Sequence, residues 1–378
     1  MALERVVAIR HWLHQNAELS NQEQVTRARI RDILIEIGLD EVSELGGGVV
    51  GLLHGAHTGK RIGLRADIDA LPIVEATGCS YTSRTPCMHA CGHDGHSAIL
   101  IGTAMELYSC RASLAGDVLF VFQPAEEILL GADQMLKAGF MGRYHPSMMF
   151  GFHCWPGEPA GTIILREGVS FAASASMSMR IEGRGGHGGR PHETIDPISC
   201  SAAIIQAVEA VVAREIDPVS PVVVSFGEIQ AGTAPNIIPD VVTLTGTVRF
   251  TDERTGSLLE RRLRGVASQI ALSRGGRCET RFVRQVPPLE SSGAYVSLVE
   301  QSACEVLGQQ NVKFLDRPVM VSEDFALFLH QCPGAHFLLG NGEDSPPVHT
   351  PGFDFNDAII PNGIDVLCML THKALHMG

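Results

Sequence analysis

DVLFVFQPAEE, residues 117–127, is the stretch on which the reading of the fold turns. Its apolar residues do not alternate with polar ones, so the segment is expected to be buried on both faces, with Pro124 ending it. The same pattern recurs in RIGLRAD (61–67), SMMFGFH (147–153) and AHFLLGN (335–341). Helix-like stretches such as HSAILIGTAMELY (96–108) lie between these runs. Short unalternating runs separated by helical patterns predict an α/β fold with buried strands.

The middle of the chain has a different rhythm. ASMSMRIEG (175–183) and VVTLTGTVRF (241–250) alternate apolar with polar, as half-exposed strands do. Between them, a helix is expected to start at Pro197 with Asp196 as its N-cap. Residues 173–285 are therefore expected to form a smaller α+β domain inserted into the α/β domain, whose two parts are 1–172 and 286–378. Near the N-terminus, Ser20 and Glu23 have the spacing of a capping box. A helix is expected to follow, with Val25, Ala28, Ile33 and Ile37 on one stripe and Gly38 as its stop.

With 378 residues, two domains are the default expectation. The chain is 45% hydrophobic and 19% charged, an ordinary globular mixture. A formal charge of −13 argues against a nucleic-acid or anionic-membrane partner. The start, MALERVVAIRHWLHQ, lacks the apolar run of a signal peptide, and no stretch is expected to reach the length of a membrane span. Ten cysteines without a repeating spacing read as free thiols. The expectation is a soluble, cytoplasmic protein.

Polar residues cluster where the apolar runs end: Asp67 and Asp69 after the first, Glu126 and Glu127 after the second, His153 at the third. Ligands of open α/β sheets collect at the carboxyl ends of strands. If the runs are parallel neighbours, these groups converge with HACGHDGH (89–96). Thiolate, imidazole and carboxylate together suit zinc or a neighbouring divalent transition metal. Cys91 and His93 can converge from a loop, given the backbone freedom of Gly92. Glu126 and Glu127 point different ways, so one can bind metal while the other acts as a base. His89 and His96 are expected as hydrogen-bonding neighbours, and Asp94 as either the orienter of a histidine or a helix cap. Gly183–Gly188 satisfies GxGxxG, but Pro191 and Pro197 delay the helix that a dinucleotide site needs.

RADIDALPIVE, MHACGHDGHSAIL, QPAEE, GFHCWPGEPAG, GRGGHGGRPHETIDPI, AGTAPNIIPD, VSEDFALF and HTPGFDFND occur in an order that resembles the aminoacylase/carboxypeptidase family of di-metal amidohydrolases. Within it, the hippurate hydrolases, N-acetyl-amino acid deacetylases and indoleacetyl-amino acid hydrolases look closest. The resemblance implies a zinc-peptidase-like catalytic domain, a mixed sheet flanked by helices, with the insert as a lid and dimerisation domain. It also implies hydrolysis of N-acyl amino acids, with a metallo-dipeptidase or carboxypeptidase as the alternative and a non-catalytic metal-dependent binding protein as the more distant one. Two divalent metal ions per subunit (Zn, Mn, Co or Ni) are implied, and a homodimer or dimer-based tetramer. Cys91, His93, Glu127, His153 and His349 match the family's metal ligands, with Cys91 bridging, and Glu126 matches its general base. Asp69 matches an acid treated as catalytic or supporting, and His187 a lid histidine that polarises the scissile carbonyl. Asn236 and Arg249 stand where the family holds the substrate's carbonyl and carboxylate. The sequence departs from the branch at Ala17, usually proline, and at Ile128, where glycine is common.

Overall fold

The four apolar runs become four neighbouring strands of one sheet in the computed structural model, which describes residues 3–377. Met1, Ala2 and Gly378, included in the expected domain bounds, lie outside the described residues. Strands Gly116–Gln123, Lys60–Asp67, Met148–Pro156 and Gly334–Gly342 lie side by side in that order and run parallel. Glu41–Leu45 and Gly48–Leu53 extend one side antiparallel. On the other side Ile163–Leu165 pairs antiparallel to Gly334–Gly342, and Val312–Phe314 completes a mixed eight-stranded sheet. Parallel strands need crossovers that cover the sheet's faces, which is why these runs show no alternation. Helix His93–Ser109 is buried on nearly all sides, between the sheet and helices Leu3–Gln15 and Ile360–Leu375.

The chain divides into two compact units. The first holds the large sheet and comprises Met1–Ser170, Glu290–Arg317 and Asp324–Gly378. The second comprises Phe171–Leu289 and Pro318–Glu323, so a short later segment, expected in the catalytic part, joins the insert. It is a four-stranded antiparallel sheet in the order Val222–Ala231, Val241–Phe250, Ala173–Glu182, Arg277–Val286. Helices Pro197–Glu215 and Glu253–Ser273 pack on it around Ile204, Val208, Leu244, Leu259 and Leu263. Asp196 caps the first helix by accepting from the Ile198 N–H at 2.9 Å. By length and composition that helix could cross a membrane, against the expectation that no stretch would. Its apolar length instead covers this unit's core.

The expected capping box fails for a tertiary reason. The helix over Gln24–Ile37 forms and stops at Gly38, with φ of 94°, but Ser20 and Glu23 do not cap it. The Glu18 carboxylate accepts the Val25 and Thr26 N–H groups instead, at 3.1 and 2.8 Å. Ser20 donates to Asp69 Oδ2 at 2.6 Å, and the Glu23 carboxylate accepts from the Ala125 N–H at 2.9 Å. Tertiary partners at the sheet's carboxyl end outcompete the local cap. Val25, placed on the apolar stripe, is exposed, and Thr26, Ile30, Ile33 and Leu34 are the buried positions. The helix expected near His96 begins at His93, after Gly92 at φ of 85°.

A charged network crosses the middle of the sheet. Arg65 is fully buried and donates to Gln123 Oε1 at 2.8 Å, Asp67 Oδ2 at 2.8 Å and Asp324 Oδ1 at 3.3 Å. Asp324 also accepts from Gln123 Nε2 and from the Ala132 N–H. Removing one partner of a buried ion pair leaves the others uncompensated, at about 3–5 kcal/mol. Arg65→Met is therefore expected to lower the urea midpoint severely. The same change at Arg31, whose partners Asp32 and Glu44 are exposed, should cost under about 1 kcal/mol. Equal midpoints for the two variants would show that the network adds nothing to stability.

Candidate metal centre

Asp67 ends one central strand, and Pro124 and Ala125 follow the next. Beyond Ala125 the backbone turns sharply: the Leu129 N–H donates to the Glu126 carbonyl at 2.7 Å. The Leu130 and Gly131 N–H groups both reach the Ala125 carbonyl at 3.2 Å. Gly131 is required there, since a Cβ would lie 1.5 Å from the Pro124 carbonyl oxygen. Among the described residues, five non-glycine residues have positive φ, and three of them, Ala125, Leu129 and His349, belong to this site. Such backbone persists only where the surroundings over-determine it.

His93, first residue of its helix, is fixed by Asp69. Its Nδ1 lies 2.9 Å from the Asp69 carbonyl and 3.2 Å from Asp69 Oδ1. A carbonyl only accepts, so Nδ1 carries the proton and Nε2 turns into the site. That buried Nε2 has no hydrogen-bond partner, nor has the buried Glu127 Oε1, 3.9 Å away. His153 Nδ1 likewise donates to the Cys154 carbonyl at 2.6 Å, leaving its Nε2 at 3.3 Å from Cys91 Sγ. Cys91, His93 and Glu127 offer ligand atoms within 4.8 Å of one another. His349 Nε2 stands 3.3 Å from Glu127 Oε2. The five expected ligands thus come together in the first unit.

Asp69 also accepts from the Glu127 N–H at 3.1 Å, so it holds both the His93 imidazole and the Glu127 turn. Glu126 is 6% exposed, and an Asp324 carboxylate oxygen lies within 4.8 Å of its own. His96 gathers with Asp67, His93 and His153, but both its nitrogens are engaged as expected of a hydrogen-bonding neighbour: its Nε2 accepts from the Cys154 N–H at 2.8 Å, and its Nδ1 donates to Asp67 at 2.6 Å. His89 is buried with neither nitrogen hydrogen-bonded, contrary to its expected role, and burial holds its pKa down at about 4. Asp94 does orient a histidine, but it is His14, at 2.8 Å, together with Arg10 at 3.2 Å.

The electrostatics favour a cation. Burial pulls His93 down, but the charges of Asp67, Asp69 and Glu127 more than offset it and hold its pKa at about 10. Burial, Glu127 and Glu126 push the Cys91 thiol well up. Burial pushes His153 well down, so it stays a neutral donor. Dry carboxylates that draw a proton onto His93 and deny ionisation to Cys91 are a field that a divalent ion would satisfy. Orphaned imidazole and carboxylate atoms beside a thiol fit such an ion by donor type as well.

Asp67, to which the sequence attaches no role of its own, is fully buried, and its Oδ2 lies 3.7 Å from His93 Nε2. The signal was present: Arg65 and Asp67 share a strand face, and a buried arginine beside a buried aspartate marks a built network. The remaining expected residues lie in the second unit. His187 and Asn236 come together there, with Ile237 opposite His187 and the Gly188 N–H donating to the Asn236 carbonyl at 2.8 Å. Both are exposed, whereas Arg249 is half-buried and donates to the Ser174 hydroxyl. No carboxylate pairs with Arg249 among the described residues, and burial lowers its pKa. The glycine-rich stretch 183–188 leads into a two-residue strand, not a helix, which removes the basis for a dinucleotide site.

Comparison with known proteins gives the same picture. The profile of peptidase family M20/M25/M40 matches residues 63–373. The chain is 39% identical to the N-acetylcysteine deacetylase of Bacillus subtilis, over 93% of this chain and 92% of that one. It is 36% identical to the hippurate hydrolase of Campylobacter jejuni, over 97% and 96% of the two chains. A crystal structure of a dinuclear metal-binding M20 peptidase from Bacillus subtilis superposes with a TM-score of 0.87 at 32% identity, covering 100% of this chain and 99% of that one. The sheet with donor side chains at its strand ends, the orphaned atoms among them and these likenesses agree, and the chain belongs to the M20/M25/M40 peptidase family of metal-dependent hydrolases.

Proposed function

We propose that the protein hydrolyses the amide bond of N-acyl amino acids of the hippurate or N-acetyl type, releasing a carboxylate and a free amino acid. The observation that carries this reading is the Glu126–Glu127 turn. It sets the Glu127 carboxylate among the orphaned ligand atoms, while the adjacent Glu126 carboxylate gathers with Asp324 and adds to the charge that raises the Cys91 thiol. The substrate class rests on relatives named N-acetylcysteine deacetylase and hippurate hydrolase.

The donor set fits two divalent ions of the Zn, Mn, Co or Ni group. Cys91 would be shared, near His153 and near the His93–Glu127 pair, with His349 beside Glu127. When bound, such ions lower the pKa of water and polarise a carbonyl. Glu126 takes a proton from the attacking water as its oxygen bonds to the acyl carbon. The same carboxyl then gives that proton to the leaving nitrogen as the C–N bond breaks. Asp69 is a positioning residue, since it fixes His93 and the Glu127 backbone. From the second unit, we assign His187 and Asn236 to the scissile carbonyl oxygen and Arg249 to the substrate's carboxylate. We further assign a cytoplasmic homodimer or dimer-based tetramer with no nucleic-acid or membrane partner, in keeping with the net charge of −13.

A carboxypeptidase of Saccharolobus solfataricus at 35% identity favours peptide substrates as the second reading. A panel of N-acetyl and N-benzoyl amino acids and dipeptides, each with and without chelator, separates the two. The proposal requires chelator-sensitive turnover of the acyl amino acids, and a tenfold or greater preference for dipeptides would refute it.

Glu126→Gln should keep its metal while kcat falls by about 10²–10⁴-fold. Glu127→Gln should lose metal as well. Near-normal turnover of the first variant would remove Glu126 from the mechanism.

Metal uptake must displace protons, because His93 and the Cys91 thiol both hold theirs strongly in the metal-free protein. Apparent affinity is expected to rise with pH by about tenfold per unit for each proton released, between about pH 6 and 9. Titration calorimetry in buffers of different ionisation enthalpy measures the release directly. A flat affinity over that range would contradict the ligand set.

His187 is proposed to act across the dimer. Inactive His187→Ala and Glu126→Gln subunits, mixed and re-dimerised, should recover up to roughly one quarter of wild-type activity, because half the dimers carry one intact site. No recovery despite subunit exchange seen by native mass spectrometry would refute action in trans.

A further inference from the structure

A second group of soft and hard donors lies apart from the sheet's carboxyl end, where helix Leu3–Gln15 meets the loop through residues 75–83. His14 is fully buried. Its Nδ1 donates to Asp94 Oδ2 at 2.8 Å, so Nε2 is the nitrogen left to act. That Nε2 is buried and lies 3.2 Å from Glu75 Oε2, but without the alignment of a hydrogen bond. Cys79 Sγ lies 3.5 Å from Glu75 Oε1. The ligand atoms of His14, Glu75 and Cys79 all fall within 4.8 Å of one another.

These spacings have a chemical meaning. Zinc bonds of about 2.0 Å to nitrogen and oxygen and 2.3 Å to sulfur give tetrahedral edges of roughly 3.3–3.5 Å. The imidazole–carboxylate and thiol–carboxylate separations are of that size and run to different oxygens of Glu75, Oε2 and Oε1, so both oxygens face the ion's place. A carboxylate behind the far nitrogen of the imidazole, here Asp94, is the usual support of a ligating histidine. The local charge also asks for a cation. Glu75, Asp94, Asp354 and Asp357 surround the buried Arg10 and His14, with Arg10 paired to the last three. The Glu75 carboxylate is already oriented by the Ser83 N–H at 2.6 Å and by the Thr77 hydroxyl. Cys79 is only half-buried, which gives an ion a way in.

We propose that His14, Glu75 and Cys79 form a further divalent-metal site that takes a zinc-like ion, with a water completing the shell. Such an ion ties the N-terminal helix to the 75–83 loop. It stabilises the fold increasingly as free zinc rises above its dissociation constant, without taking part in hydrolysis. The competing occupant is a proton, which would make His14 an imidazolium bridging Asp94 and Glu75.

The test uses the holoprotein with its strand-end cluster already loaded. After equilibrium dialysis against zinc, elemental mass spectrometry should find one more equivalent per subunit in the wild type than in Cys79→Ser. Cys79→His, which restores a nitrogen donor, should regain it. Zinc should shield Cys79 from iodoacetamide, read peptide by peptide so that Cys91 is scored separately, and Glu75→Gln should abolish that shielding. Glu127→Gln, which disturbs the other cluster, should leave the Cys79 shielding intact. Equal zinc content in wild type and Cys79→Ser, with Cys79 labelled alike in the presence and absence of zinc, would overturn the proposal and leave the proton as occupant.

Discussion

Buried negative charge at the carboxyl ends of parallel strands is the constraint on which this structure rests. Asp67 and Asp69 are within about 1% of full burial, and Glu126 is 6% exposed, in a place where an unpaired carboxylate is costly. Arg65 answers part of that charge from beneath. Backbone N–H groups and hydroxyls answer another part, through Ser20 and the Glu127 amide on Asp69. What stays unanswered faces His93 Nε2 and Glu127 Oε1. The fold leaves its unmet electrostatic demand where the ligand atoms converge.

Much of the first unit is arranged around holding that convergence still. The strained turn after Gln123 is gripped from two sides, by Glu23 at Ala125 and by Asp324 at Ala132. The second His-carboxylate system, Asp94 with His14 and Arg10, locks the first turn of the helix that presents His93 onto the N-terminal helix. Neither device touches the orphaned atoms. Both restrict the backbone that carries them, so a loss at Arg10 or Glu23 is a loss of position before it is a loss of chemistry. The second unit has its own apolar core and keeps His187 and Asn236 exposed on a short two-stranded ribbon.

The strands of the central sheet were legible because burial on both faces leaves an unmistakable pattern, and the alternating strands of the insert were legible for the complementary reason. The five expected ligands could be named through the resemblance in motif order, and the structure brings these five side chains together. What escaped the sequence was tertiary competition. Ser20 and Glu23 have a cap's spacing, but Asp69 and the Ala125 amide are better partners. His89 and His96 sit symmetrically about the ligands in sequence. Only the fold shows His96 saturated by Asp67 and the Cys154 amide while His89 has no hydrogen bond at all. Asp67 stands beside Asp69 in sequence without a role of its own, and only the fold shows it paired with the buried Arg65.

The account turns on whether cations answer the charge left over at the strand ends. Diffraction from crystals of metal-loaded protein, collected on either side of the absorption edge of the loaded metal, tests this most directly. Anomalous density should appear at about 2.0–2.3 Å from His93 Nε2, Glu127 Oε1, His153 Nε2 and Cys91 Sγ. Loaded crystals with no anomalous density at these atoms, or with metal only on surface carboxylates, would contradict it.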